Sequence, residues 1–288
     1  MQIIVSGLIF GCIYALGALG LVLIFKTTEV ANFAHGEMAM ITTFVSYIFL
    51  TSYGLPYLLS LVLSLLFAII FGMFVYIVFM KRIQSAPHLN QVVLTLGLFM
   101  VFNGFAGILW GYDTVSYPEA LTGSPFQISG IFISSNEIFM VGLTVLLMLV
   151  FFILFRYTKI GLAMRSASQD RIASELMGVK VTGVFMGAWA IGSAMGGIAG
   201  IMTAPITFLS PNMMGEVLII AFAGAVLGGF NSLPGAVVGG LIVGVFQNLI
   251  SFYISPELKI VFVFLLIVLV LYVRPQGIFG GSKIVKKV

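Results

Sequence analysis

The sequence predicts an all-α, polytopic membrane helix bundle of about eight or nine transmembrane helices, some of them broken, with one short helix on the cytoplasmic side. Three observations carry this. Apolar residues fill 61% of the 288 positions, charged residues only 8%, and the mean hydropathy is +1.20. A soluble domain is about one quarter charged, so this much apolar surface needs lipid as its solvent. The apolar residues fall in runs near the length that crosses a bilayer, about 20 residues each. The charges between the runs are sorted by sign, which reports orientation.

The runs follow in order. Residues 3–25 carry no charge; with no basic residue before them and Lys26 just after, they read as an uncleaved span with its N-terminus outside. The single cysteine, Cys12, lies in this run as a small packed hydrophobe. Residues 38–80 again hold no charge, enough for two spans, and "YGLP" at 53–56 is the turn between them. Lys81-Arg82 precede a span over 92–110, with His88 a solvated turn residue. Residues 111–137 are polar, acidic and turn-rich, without Lys or Arg. A span over 138–155 leads into the longest charged stretch, 156–182, with Arg156, Lys159, Arg165, Arg171 and Lys180. Residues 183–204 span, and a loop with Pro205 and Pro211 follows. Runs over 216–230, 236–252 and 260–273 complete the chain before the basic tail "RPQGIFGGSKIVKKV". All of residues 1–288 read as a single membrane domain.

The positive-inside rule puts Lys81-Arg82, the 156–182 loop and the tail in the cytoplasm, and the acidic 111–137 loop outside. These assignments agree in parity for nine crossings; a half-helix at 217–230 would make eight. "NFAHGEM" (32–38) and "NSLPGAV" (231–237) share N-x-x-x-G between Gly-containing apolar runs, a faint internal echo of two related halves.

Two stretches carry polar chemistry. Glu29 and Glu37 bracket Asn32 and His35. One reading is a solvated turn between spans; the other is a break at membrane depth, with polar groups facing a water-lined pathway. His35 and Glu37 are two positions apart and so fall on different sides of a helix, which argues against a simple relay pair. Between Ser168 and Met177 the pattern fits a short amphipathic helix with Ile172 and Leu176 on one face, stopped by Gly178. It is either a solvated loop or a docking helix for a cytoplasmic partner. No G-x-x-x-x-G-K-[ST] loop occurs, the two histidines stand far apart, and no zinc spacing exists. No nucleophile or metal cluster accompanies His35 and Glu37, so an enzyme is not expected.

Four stretches carry a resemblance. "ALGLVLIFKTTEVANFAHGEMAM" resembles the N-terminal signature of permease subunits of ABC importers for branched-chain amino acids. "GLAMRSASQDRIASELMGV" is similar to that family's cytoplasmic coupling loop, "AFAGAVLGGFNSLPGAVVGGLIVG" to its third signature, and "RPQGIFG" to its tail. The resemblance runs through the whole chain, with Ser166 in place of the usual alanine and Ile220 where many relatives carry lysine.

The resemblance implies a permease subunit that pairs with a homologous permease subunit as a heterodimer. Two cytoplasmic ATP-binding subunits and an extracytoplasmic solute-binding protein complete such an importer, with membrane lipid around it and no nucleic acid. It implies that this chain binds no cofactor of its own, ATP being hydrolysed by the partners, and that it sits in a bacterial or archaeal inner membrane. By position, Asn32, Phe33, His35, Gly36 and Glu37 match the signature of the substrate pathway, with Met38 and Met40 joining Phe33 as apolar lining. Arg165, Asp170, Glu175, Leu176 and Gly178 match the coupling helix and its flanks. Permeases for urea or short amides carry close variants of the signature. A proton-coupled secondary transporter and a passive channel are the rival classes, separated by whether flux needs ATP.

Overall fold

The computed structural model describes residues 1–128 and 130–280. Lys283, Lys286 and Lys287 of the basic tail lie outside the described residues. Eleven α-helices are present among these residues: α1 (Gln2–Thr28), α2 (His35–Thr51), α3 (Tyr57–Val78), α4 (His88–Trp110), α5 (Ser135–Tyr157), α6 (Lys159–Gln169), α7 (Arg171–Leu176), α8 (Val181–Thr207), α9 (Met214–Gly228), α10 (Leu233–Tyr253) and α11 (Lys259–Val273). A two-stranded antiparallel hairpin, β1 (Phe126–Ile128) and β2 (Ile131–Ile133), interrupts the 111–137 loop. The fold is the all-α polytopic bundle that the composition calls for.

Among the described residues six helices are long and apolar enough to cross a membrane: α1, α3 with the 3-10 turn after it, α4, α5, α8 and α10. Three more are shorter. α2 has 17 residues, and α9 and α11 have 15 each, so α9 reaches only about 22 Å at 1.5 Å per residue, less than a hydrocarbon core of about 30 Å.

α1 and α8 form the enclosed centre, and α3, α4, α5 and α11 present much of their apolar surface outward. Close approach at the centre rests on small residues, as expected where lipid leaves helices little hydrophobic reason to associate. Gly7, Gly11 and Ala15, spaced by four along α1, meet Val245, Leu241 and Gly240 of α10; a Cβ on Gly11 would lie 2.9 Å from Leu241 Cα. The pairing of early α1 with late α10 makes the two antiparallel.

The two faces sort as the charges predict. Gln2 exchanges 2.9 Å hydrogen bonds with the Phe132 backbone, and Val115 bridges Leu209, gathering the N-terminus, the acidic loop and the α8–α9 connection on one face. The Tyr117 hydroxyl fastens that loop to α2 through a 2.7 Å hydrogen bond with Ser46. Burial pushes the Tyr117 hydroxyl up to about 12, against the opposing Ser46 bond, so it stays protonated at neutral pH. On the opposite face Lys26, Arg156, Arg165 and Asn231 converge on one cleft.

Local departures have local causes. Pro205 lies in the last turn of α8 rather than in the loop after it; the helix runs two residues further and ends at Phe208, whose φ is 62°. Glu137 belongs to the first turn of α5: Ser134 and Glu137 form a reciprocal capping box. Residues 159–169 fall in the stretch expected to be loop, yet they form α6. Thr158 caps its start by accepting from the Gly161 amide, and Gly161, Met164 and Ala167 bury one side of it.

Candidate functional site

α1 ends at Glu29, which adopts the left-handed conformation (φ 59°) and turns the chain out of the helix. After five intervening residues α2 begins at His35. The break is not a solvated turn: Val30, Asn32, Ala34, His35 and Glu37 are all buried. Its depth follows from its neighbours. The His35 ring lies between α1 and α8, where a Cβ on Gly20 would sit 2.8 Å from Cε1 and one on Gly196 would sit 2.8 Å from Nε2. Gly20 is about 12 Å up from the end of α1 at helical rise, and Gly196 is close to the midpoint of α8. α2 therefore starts well inside the bundle, and the unwound segment is buried in protein as non-helical backbone at such depth requires.

The five signature residues do different work. Asn32 makes the turn: its Oδ1 accepts from the Ala34 amide at 3.1 Å and its Nδ2 donates to Met38 Sδ. Phe33, half-buried, stacks on Phe222 of α9 at 5.8 Å. Phe222 continues to Phe230 at 5.1 Å, and Phe230 to Phe25 at 4.9 Å, an aromatic row joining the α1–α2 break to the α9–α10 break. Gly36 lets α2 close on α9, where a Cβ would lie 3.2 Å from Leu218 Cβ. Glu37 faces away from His35, toward α4, where Asn103 Nδ2 donates to its Oε2 at 3.4 Å. The same amide serves the Pro211 carbonyl at 3.1 Å and Asn212 Oδ1 at 3.3 Å. His35 and Glu37 thus serve different helix pairs and form no proton relay with each other. Met38 and Met40 are enclosed in the core, leaving Phe33 as the apolar member with surface to offer.

Sequence reading passed over two residues of α4. Thr95, fully buried, accepts from the Phe33 amide at 3.3 Å, and its one hydroxyl proton is shared between the Val92 carbonyl at 2.8 Å and the Ala31 carbonyl at 3.3 Å. Asn103 is the other. The available signal was a polar side chain in mid-span, costly in lipid unless it has a partner.

The charged 156–182 segment is two helices, not one. Asp170 stands between α6 and α7 in extended conformation and caps α7 by accepting from the Ala173 amide at 2.9 Å. Arg165 turns inward: its Nη1 donates to the Phe155 and Arg156 carbonyls at 2.7 and 3.0 Å, closing the C-terminus of α5. Ser166 and Ser174 share a 2.7 Å hydroxyl bond that folds α7 back on α6. Glu175 pairs with Arg171 at 3.2 Å on the exposed side. Gly178, at φ 84°, ends the segment in the left-handed conformation that glycine adopts freely. What projects is apolar: Ile172, Leu176 and Met177 are 71%, 83% and 84% exposed. Leu176 was expected there; Arg165 and Asp170 instead hold the face in place.

Among the described residues no three His, Cys, Asp or Glu side chains gather at one point as metal ligands would.

The chain is similar to known proteins over nearly its whole length. The high-affinity branched-chain amino acid transport system permease protein LivH of Salmonella typhimurium is 29% identical over 300 residues, covering 99% of this chain and 97% of that one. The permease protein BraD of Pseudomonas aeruginosa, named for the same kind of system, is 27% identical, with 99% and 97% covered. Among solved structures, PsaBC from Streptococcus pneumoniae in complex with Fab shares the fold at a TM-score of 0.52 and 11% identity, over 96% of this chain and 93% of that one. The family described as branched-chain amino acid transport system / permease component matches residues 3–271, through both breaks and the α6–α7 segment, and the chain belongs to that family.

Proposed function

We propose that this chain is a membrane subunit of an ATP-driven importer for branched-chain amino acids in a bacterial or archaeal cell membrane. The observation that carries the mechanism is the bare apolar face of α7, with Ile172, Leu176 and Met177 exposed on the side of the basic loops. An apolar knob on that side has no lipid to enter and needs a partner groove. Two ATP-binding subunits supply it, one on this chain and one on a homologous permease subunit. The chain carries no G-x-x-x-x-G-K-[ST] loop, so hydrolysis of ATP falls to those subunits. α6 acts as the lever: Arg165 ties it to the end of α5, and Ser166 ties it to α7. A push on α7 is thereby delivered to α5 and, through Met164, to α8.

The pathway lies at the α1–α2 break. Phe33 and Phe222 give an apolar side chain a surface, while Glu37 and Asn103 give the charged ends of a zwitterion polar partners. An external solute-binding protein docks on the opposite face, at the hairpin and the α8–α9 connection.

Copurification tests the arrangement. Leu176→Asp changes an exposed side chain, so the unfolding temperature of the full-length permease stays the same. Its yield of bound ATP-binding subunits falls roughly tenfold, as loss of about 1.4 kcal/mol at a docking anchor dictates. Full retention of those subunits would place the docking face elsewhere.

A further inference from the structure

Apart from the tie that Arg165 makes to the end of α5, the basic cleft on the side of the charged loops is not used by transport as proposed, and its geometry suits a lipid. It encloses about 340 Å³ where the ends of α1 and α5 meet the start of α10. Lys26, Arg156 and Arg165 line it, and no carboxylate does among the described residues. Lys26 Nζ lies 5.5 Å from the centre of the Phe155 ring and Arg165 Cζ lies 5.7 Å from it, so one ring holds two cations beside the same space. Only Nη1 of Arg165 is engaged in hydrogen bonds among the described residues, which leaves its other N–H donors free. Ser232 caps α10 at the rim, and the positive end of that 21-residue helix adds to the field.

A cluster of like charges without a counter-ion is costly, and an anion relieves it. The surroundings say which kind. Val145, Leu149, Phe152 and Arg156 follow one another at helical spacing along the outer side of α5, and the first three are exposed apolar side chains. The stripe leads from the middle of the span straight to the cleft. An acyl chain laid on Val145, Leu149 and Phe152 brings its phosphate to Arg156, at the depth where headgroups sit.

We infer that the cleft formed by Lys26, Arg156 and Arg165 is a binding site for the phosphodiester of an anionic phospholipid in the inner leaflet, its tail lying along α5. The bound lipid offsets part of the positive charge at the junction of α1, α5 and α10, beside the hinge between α5 and α6.

The test uses the full-length protein in nanodiscs of dioleoylphosphatidylcholine containing a minority of dioleoylphosphatidylglycerol, followed by native mass spectrometry of the lipids retained. The expected result is preferential retention of phosphatidylglycerol, reduced roughly tenfold or more in the Lys26→Gln, Arg156→Gln double variant, since each cation near an anionic surface contributes several-fold. A photoactivatable phosphatidylglycerol on the wild-type protein reads the same site without a variant, and it labels residues 145–156. Equal retention of both lipids by the wild-type protein, or labelling confined to other helices, overturns the inference. Inorganic phosphate that occupies the cleft and abolishes lipid retention at millimolar concentration would also overturn it, by making free phosphate the ligand.

Discussion

The backbone amide of Phe33 donates to the hydroxyl of Thr95 across 3.3 Å, and the same hydroxyl reaches the Ala31 carbonyl at 3.3 Å. One side chain of α4 thereby serves two backbone groups that the α1–α2 break leaves without helical partners, sharing its proton between Ala31 and the Val92 carbonyl at 2.8 Å. In Thr95→Val the shape is kept and both bonds are lost. That protein should be destabilised by about 1–3 kcal/mol, the cost of leaving buried polar groups unpaired, read as a lower unfolding temperature in detergent. An unchanged temperature would mean that water or another group already serves those atoms.

His35 fills a slot made by two glycines. A Cβ on Gly196 would come within 2.8 Å of Nε2, so Gly196→Ala should cost about 1–3 kcal/mol by overpacking. In a His35→Ala background the same change has nothing to strike, and its cost should fall close to zero. Simple additivity of the two changes would show that the slot does not constrain the imidazole.

Glu37 tests the pathway itself. Its carboxylate is buried beside the Asn103 amide. Glu37→Gln preserves size and hydrogen bonding while removing charge, so the protein should insert and retain its ATP-binding subunits. Substrate uptake should fall roughly tenfold, about 1.4 kcal/mol of lost interaction with a charged ligand end. Normal uptake in both Glu37→Gln and His35→Ala proteins would remove the break from the route.

What was legible beforehand was whatever one stretch of chain decides alone. The runs of apolar residues, the "YGLP" turn and the stop at Gly178 are local, and α2, α3 and α7 begin and end close to where they point. Sorting by charge grouped the acidic loop apart from Lys26, Arg156 and Arg165, as the structure also does. The misses are non-local or subtle. Thr95 and Asn103 matter because of partners 62 and 66 positions away, which no periodicity encodes. α6 was hidden because its charges read as loop, while its buried side is only Gly161, Met164 and Ala167. Asp170 and Arg165 look like surface charges in sequence; a cap and a tie to the end of α5 become visible only when both helix ends are in place. The Ser134–Glu137 capping box, by contrast, has a local signal in its S-x-x-E spacing that goes unused when Glu137 is assigned to the loop.

The central claim is that a motor outside this chain drives solute through it by pushing on α7. The most direct measurement is leucine uptake into proteoliposomes carrying the full assembly with its ATP-binding subunits and solute-binding protein, with nucleotide and proton gradient varied separately. Uptake that requires hydrolysable ATP on the α7 side and is indifferent to collapse of the proton gradient is the predicted result. Uptake that proceeds without nucleotide and stops when the gradient is dissipated would contradict the account.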